Sequence, residues 1–298
     1  VLNNGSGALT FTNATFNNPV SSGTGTDPGS TARTLTLGGS NTGANTIQGV
    51  IADNTGTETP VVNVVKQDAG TWVLSGANTY TGTTTVSGGS LQVGSAGSGQ
   101  TGSGDVTVQS GGTMLGTGVV RGTNVSFVSG ALVHAGDGTA QGNYGTLTFT
   151  PVSGSGNFDF QSGSSVILGI NPGGSGDLLS FDGLSGGTLN FNGNLSVTAS
   201  GYVPAGMDIF NLLDWTNLST VNFDSRFSAA SYGGFLLGNG DDNLGFDLPD
   251  ISGSGYAWDI SNFTTNGTIV TVVVPEPSRA LLLLTGACGL LARRRRRC

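Results

Sequence analysis

The chain has 298 residues, 53 of them glycine, with one histidine, one lysine and only 9% charged residues, against about 25% in an ordinary globular domain. Glycine without a triplet period beside 9 prolines excludes collagen, 36% hydrophobic residues exclude a chain held open by charge, and the abundance of Gly, Asn, Ser and Thr argues against helices. Residues 1–274 carry four basic side chains (Arg33, Lys66, Arg121, Arg226) against 17 carboxylates, a formal charge of −13 that repels nucleic acid and anionic lipid, while both cysteines, Cys288 and Cys298, lie beyond that body and leave it without a disulfide or thiolate metal site.

From the start to about residue 200, short alternating runs of Val, Leu, Ile, Phe and Thr are cut by Gly, Asn and Ser clusters, the punctuation of strands and turns. Such runs occur at 9–12, 34–37, 46–51, 61–65, 72–74, 84–86, 90–93, 105–108, 146–149 and 165–168. A Gly-x-Leu/Val-x-Val/Phe unit recurs at 89–93, 104–108, 145–149 and 187–191. One such unit cannot bury its apolar face alone, so successive units are expected to stack into a solenoid with a continuous aliphatic core and with Gly and Asn at the corners. Coils of roughly 20 to 25 residues predict on the order of eight to ten rungs. A β-sandwich requires the same alternation and is the alternative fold.

Residues 70–94 read Gly-Thr-Trp-Val-Leu-Ser-Gly-Ala-Asn-Thr-Tyr-Thr-Gly-Thr-Thr-Thr-Val-Ser-Gly-Gly-Ser-Leu-Gln-Val-Gly. This stretch resembles the autotransporter-associated β-strand repeat through Gly70, Trp72, Leu74, Gly76, Asn78, Tyr80, Gly82, Val86, Gly89, Leu91 and Val93. Residues 104–122 and 129–150 resemble the rungs that follow that repeat, although Leu132-Val133-His134-Ala135-Gly136 departs from the usual Leu-x-Pro-Gly. The resemblance implies a right-handed parallel β-helix over residues 1–200, exposed at a bacterial surface, in an adhesin-like or structural protein without enzymatic activity.

At 201–274 the apolar runs lengthen, as at 208–215 and 256–260, and two of the three tryptophans appear. A solenoid end must hide its apolar surface and strand edges, so this region is expected to be a β-rich cap. Parallel β-helices include pectin-degrading enzymes, which makes a β-helical carbohydrate-active enzyme the alternative function. Asp241-Asp242 resembles the paired aspartates of polygalacturonase-like hydrolases. The companion Gly-His-Gly and Arg-x-Lys patterns are missing and His134 is the only histidine, so Gly240-Asp241-Asp242-Asn243 reads as a solvated turn and no catalytic residue is predicted. His134 itself reads as a loop or surface histidine. Gly173-Gly174-Ser175-Gly176-Asp177 is one residue short of a calcium-binding nonapeptide and lacks a tandem copy, so neither metal nor other cofactor is expected. Trp72, Trp215 and Trp258 read as core or cap residues, not as sugar-stacking platforms.

Residues 275–298 run Pro275-Glu276-Pro277, Ser278-Arg279, an apolar stretch at 280–292, then Arg293, Arg294, Arg295, Arg296, Arg297 and Cys298. At 1.5 Å per residue the apolar stretch spans about 20 Å of a ~30 Å hydrocarbon layer, which predicts a short membrane helix suited to temporary anchoring. The arginines are expected to stay cytoplasmic and to stop transfer. The layout resembles the PEP-CTERM sorting signal, with Pro275, Glu276 and Pro277 as its motif. This resemblance implies an exosortase-type membrane peptidase as partner, transient residence in a Gram-negative inner membrane, and delivery to the cell surface or an exopolysaccharide matrix. Nothing after residue 200 is long enough for the membrane barrel of a complete autotransporter.

Overall fold

The computed structural model describes residues 1–274 apart from 13–14, 18–31, 54–59, 138–142, 172, 185, 205, 216, 229–234 and 239–244, with strand Thr15–Asn17 described for its backbone alone. These residues form an all-β protein of mostly parallel strands in stacked sheets. Helix is confined to the single turns Ser225–Phe227 and Phe263–Asn266.

The first sheet runs in hydrogen-bonded order through Thr10–Phe11, Asn45–Ile47, Thr71–Leu74, Gly89–Val93, Gly112–Gly116, Leu132–Ala135, Ser165–Asn171, Asn194–Thr198 and Phe246–Asp247, all parallel, with Ser175–Gly176 added antiparallel to Ser165–Asn171. The second runs through Arg33–Leu37, Val62–Lys66, Thr84–Val86, Val106–Val108, Asn124–Phe127, Gly156–Phe160, Gly187–Phe191 and Thr220–Phe223. A third is made of Val119–Val120, Thr146–Phe149, Leu178–Phe181 and Leu213–Asp214. From Asn124 onward the chain visits second, first and third sheet in turn, and three strands beyond residue 200 continue all three. A short parallel pair joins Thr15–Asn17 to Val50–Ala52.

The register corrects the expectation of uniform coils. Asn124 bonds Asp105, 19 residues back, whereas Asn157 bonds Asn124 across 33 residues and Asn222 bonds Asn190 across 32. The added length lies in the third sheet's strands and the connections from them: Val119–Val120 is two residues long whereas Thr146–Phe149 and Leu178–Phe181 have four each, and the run on to the second sheet grows from 121–123 to 150–155. A longer coil encloses more volume, and the inward side chains grow to fill it. Along the second sheet the inward row reads Leu37, Lys66, Val86, Val108, Phe127, Phe160, Phe191, Phe223. This row is therefore aliphatic at first, interrupted by one lysine, and aromatic from Phe127 on. Phe127 stacks on Phe160 at 4.6 Å and Phe149 of the third sheet stacks on Phe181 at 5.0 Å, the offset geometry that ring quadrupoles favour.

Past the last parallel rungs, Ile209–Asn211, Thr268–Val273, Tyr256–Asp259 and Phe235–Leu236 form an antiparallel sheet. Its Trp258 packs against Tyr202 and Phe210. Phe263, on the helical turn before the strand Thr268–Val273, lies 5.4 Å from Phe223 and 4.8 Å from Phe246, covering the end of the aromatic row. Among the described residues no helix is long and apolar enough to cross a membrane, and the apolar stretch at 280–292 lies outside them.

Candidate functional site

The stretch at 70–94 closes corners between coils. Trp72, fully buried, donates from Nε1 to the carbonyl of Gly38 at 3.0 Å, so its indole fills the core without an orphaned N–H. Asn78 accepts from the Ile51 amide at 2.8 Å and donates to the Gln100 carbonyl at 2.7 Å, stitching three successive coils at one corner. The Tyr80 hydroxyl meets Thr84 Oγ1 at 2.7 Å inside the core. At Gly82 a Cβ would stand 2.3 Å from the Val62 carbonyl oxygen, so only glycine lets the two turns touch.

With the apolar side chains turned inward, the other face of the first sheet carries a register row of its own: Thr10, Thr46, Val73, Gln92, Leu115, His134, Ile167, Ser196 and Asp247. Near its start lies an open cleft of about 510 Å³ across three rungs, lined by Thr46, Gln48, Val73, Ser75, Gln92 and the turn residues Ser95 and Ser98, with Ala44 at its rim. Asp137 fixes that turn. Its carboxylate accepts from Ala96 N at 2.7 Å, Thr117 Oγ1 at 3.0 Å, and Ser95 Oγ and Gln92 Nε2 at 3.3 Å. A second cleft of about 490 Å³ opens at the other end of the row, where Ser196 Oγ donates to Asp247 Oδ2 at 2.7 Å.

Comparison with known proteins bears on the corner stretch. Residues 64–93 match the passenger-associated-transport-repeat family. Over 85 residues the chain is 45% identical to the adhesin BmaC autotransporter of Brucella suis biovar 1 (strain 1330). That match covers 28% of this chain and 2% of the relative, so the chain spans a small fraction of the relative's length.

The sorting residues Pro275, Glu276, Pro277, Arg293, Arg294, Arg295, Arg296 and Arg297 lie outside the described residues, as do Asp241 and Asp242. His134 is not on a loop. It sits in Leu132–Ala135, 7% exposed between Leu115 and Ile167, because that segment pairs in register with Gly112–Gly116 and Ser165–Asn171. Its Nδ1 is buried without a hydrogen-bond partner, and burial holds its pKa below the ordinary value. Asp177 is buried and accepts from the amides of Gly145 at 2.9 Å and Gly169 at 2.7 Å, which makes it a strut between strands; burial pushes its pKa up to about 6. Among the described residues no group of three or more His, Cys, Asp or Glu is placed to hold a metal. Trp258 is fully buried and Trp215 packs on the core beside Phe223.

Two polar residues carry structure that sequence reasoning passed over. Lys66 is buried in the second sheet's inward row, where Nζ donates to the carbonyls of Gln67, Asp68 and Gly88 at 2.7–2.8 Å. Its signal was present: in Val62–Lys66 the period-2 pattern puts Lys66 on the same face as Val62 and Val64. Asp137 had no such signal, because the groups its carboxylate joins, at 92–96 and at Thr117, lie 20 to 45 residues away in the chain.

Proposed function

We propose that this chain is an exported, non-enzymatic surface or matrix protein, adhesin-like or structural, built as a right-handed parallel β-helix. In this reading residues 1–200 form the solenoid, 201–274 its cap, and 275–298 a PEP-CTERM signal read by an exosortase-type peptidase. The observation that carries it is the passenger-associated repeat at 64–93, set in register within stacked parallel sheets. The adhesin relative supports a place at the cell surface. The recurrent order of second, first and third sheet supports a single coiled path.

The outward face of the second sheet suits such a role. Thr85, Thr107, Ser126, Asp159, Asn190 and Asn222 succeed one another along it, all in register. Beside them, Asn157 Nδ2 donates to Asn124 Oδ1 at 3.1 Å and Asn124 Nδ2 to Asp105 Oδ1 at 2.9 Å, so neighbouring rungs hold each other's side chains in place. A surface of hydroxyls and amides with Asp159 and Asp105 as its carboxylates and without lysine or arginine favours contact by hydrogen bonding.

The test compares native cells with cells carrying Glu276→Ala or lacking residues 293–297, scored for surface exposure of the body and for adhesion or matrix cohesion. Loss of surface display with retention in the inner membrane, together with loss of adhesion, is the expected outcome. Unchanged display in both variants contradicts the sorting route, and unchanged adhesion on deleting the whole chain contradicts the adhesive role.

A further inference from the structure

We infer that the cleft across the second, third and fourth strands of the first sheet's outer face is a binding site for a short stretch of neutral glycan. The inference rests on the adhesive reading and narrows it to one place and one class of ligand. Its basis is the direction in which the lining hydroxyls point their protons. Thr46 Oγ1 donates to the Ala44 carbonyl at 2.9 Å, Ser75 Oγ to Ile47 at 3.3 Å, Ser98 Oγ to Ser95 at 3.0 Å, and Ser95 Oγ to the Asp137 carboxylate at 3.3 Å. With those protons committed, what each hydroxyl can still offer is lone pairs.

Gln92 adds to the same polarity. Its Nε2 is engaged by the Gly94 carbonyl and Asp137, which leaves the amide oxygen as its open group. Gln48, exposed at the rim, brings an adaptable amide with both donor and acceptor. The floor between them is the buried Val73, which closes the base of the cleft with a nonpolar group.

This lining selects among ligands. A carboxylate, sulfate or phosphate brings acceptors only, and the cleft has no lysine or arginine to meet it. An extended peptide has no free strand edge to join, because Thr71–Leu74 is paired on both sides, to Asn45–Ile47 and to Gly89–Val93. A neutral sugar presents hydroxyl donors along one edge, which matches the acceptors set around the cleft. The volume of about 510 Å³ falls within the roughly 300–1,000 Å³ of ordinary small-ligand sites and accommodates a di- or trisaccharide. The Ser95–Ser98 turn, pinned by Asp137, walls one end and gives the site a fixed shape without a ligand.

The experiment is calorimetric and NMR titration of the full-length chain with cellotriose, chitotriose, maltotriose and xylotriose, beside trigalacturonate, triarginine and a Ser/Thr-rich peptide. Saturable binding of at least one neutral trisaccharide is expected. Gln48→Ala combined with Gln92→Ala weakens it about tenfold, the scale of one or two lost hydrogen bonds, and Thr46→Trp, which fills the cleft, abolishes it. Thr264→Ala, on the exposed helical turn Phe263–Asn266, leaves it unchanged. Because Gln48 is exposed, Gln48→Ala alone serves should a bulkier variant fail to fold. Absence of binding by every neutral trisaccharide, tighter binding of trigalacturonate, triarginine or the peptide, or indifference to the cleft variants overturns the inference. Surface display and adhesion, scored on the same variants, separate it from the broader reading: cells that display the chain and adhere while the chain binds no neutral trisaccharide overturn the glycan site alone.

Discussion

Lys66 occupies a position that an aliphatic side chain would fill in the neighbouring rungs, between Leu37 and Val86, and its ammonium is held by three main-chain carbonyls. Burial lowers its pKa from 10.5 to about 8, against the opposing pull of Asp68. The unfolded chain therefore binds the proton more tightly than the fold does, and between about pH 8 and 10 stability rises as the proton leaves both states. Lys66→Met is expected to lose that rise and to cost about 1–3 kcal/mol at pH 7, because the three carbonyls lose their donor; urea melts at pH 7 and pH 10 read both effects. His134 runs the same way in a lower pH range. Its pKa is lowered by burial, so the fold loses stability as pH falls through the ordinary histidine range, where the unfolded chain takes up the proton first. His134→Leu, flanked by Leu115 and Ile167, is expected to gain about 1 kcal/mol at pH 7 by removing the unpartnered Nδ1, and to lessen the acid loss between pH 7 and 5. A variant that melts lower than the parent at pH 7 would contradict this. Asp177, with its pKa raised to about 6, contributes in the reverse sense, stabilising as pH falls from about 6 toward 4, so the His134 effect is read as a difference from the parent at each pH.

At the scale of strands and corners, the repeat unit placed the elements well. The Gly-x-Leu-x-Val pattern at 89–93 and 187–191 coincides with strands Gly89–Val93 and Gly187–Phe191. Coil length was not legible, because Thr146–Phe149 and Leu178–Phe181 have the same alternation as any other rung, and nothing local tells which of three sheets a strand will join. The change from valine to phenylalanine at Phe127, Phe160 and Phe191 was the available hint: a wider coil needs larger inward residues. Phe160→Ala is accordingly expected to cost about 3–5 kcal/mol by leaving a cavity among Phe127, Phe181 and Phe191, measured by thermal or urea unfolding. At the corners, Gly82→Ala drives a Cβ to 2.3 Å from the Val62 carbonyl and should cost about 2 kcal/mol or more, whereas Gly206→Ala, with open space around it, should change stability by less than about 0.5 kcal/mol. The cleft escaped sequence reading for the same reason as coil length. Its lining is gathered from 44–48, 73–75 and 92–98, brought together by register and not by any contiguous motif.

For the whole molecule, parallel strands about 4.8 Å apart and in register present side chains at fixed intervals along each sheet, the property on which the proposed role in surface display rests. The formal charge of −13 over residues 1–274 disfavours contact with anionic lipid. The function proposed above divides the chain into two tasks: residues 275–298 deliver it and are removed, and the body remains outside. Mass spectrometry of peptides released by protease from the surface of intact native cells, beside the intact mass of the same population, tests this division most directly. Peptides from residues 1–274 should be recovered from unbroken cells on chains that lack Arg293 to Arg297 and Cys298. Body peptides that appear only after lysis, or surface chains that still carry Cys298, would contradict it.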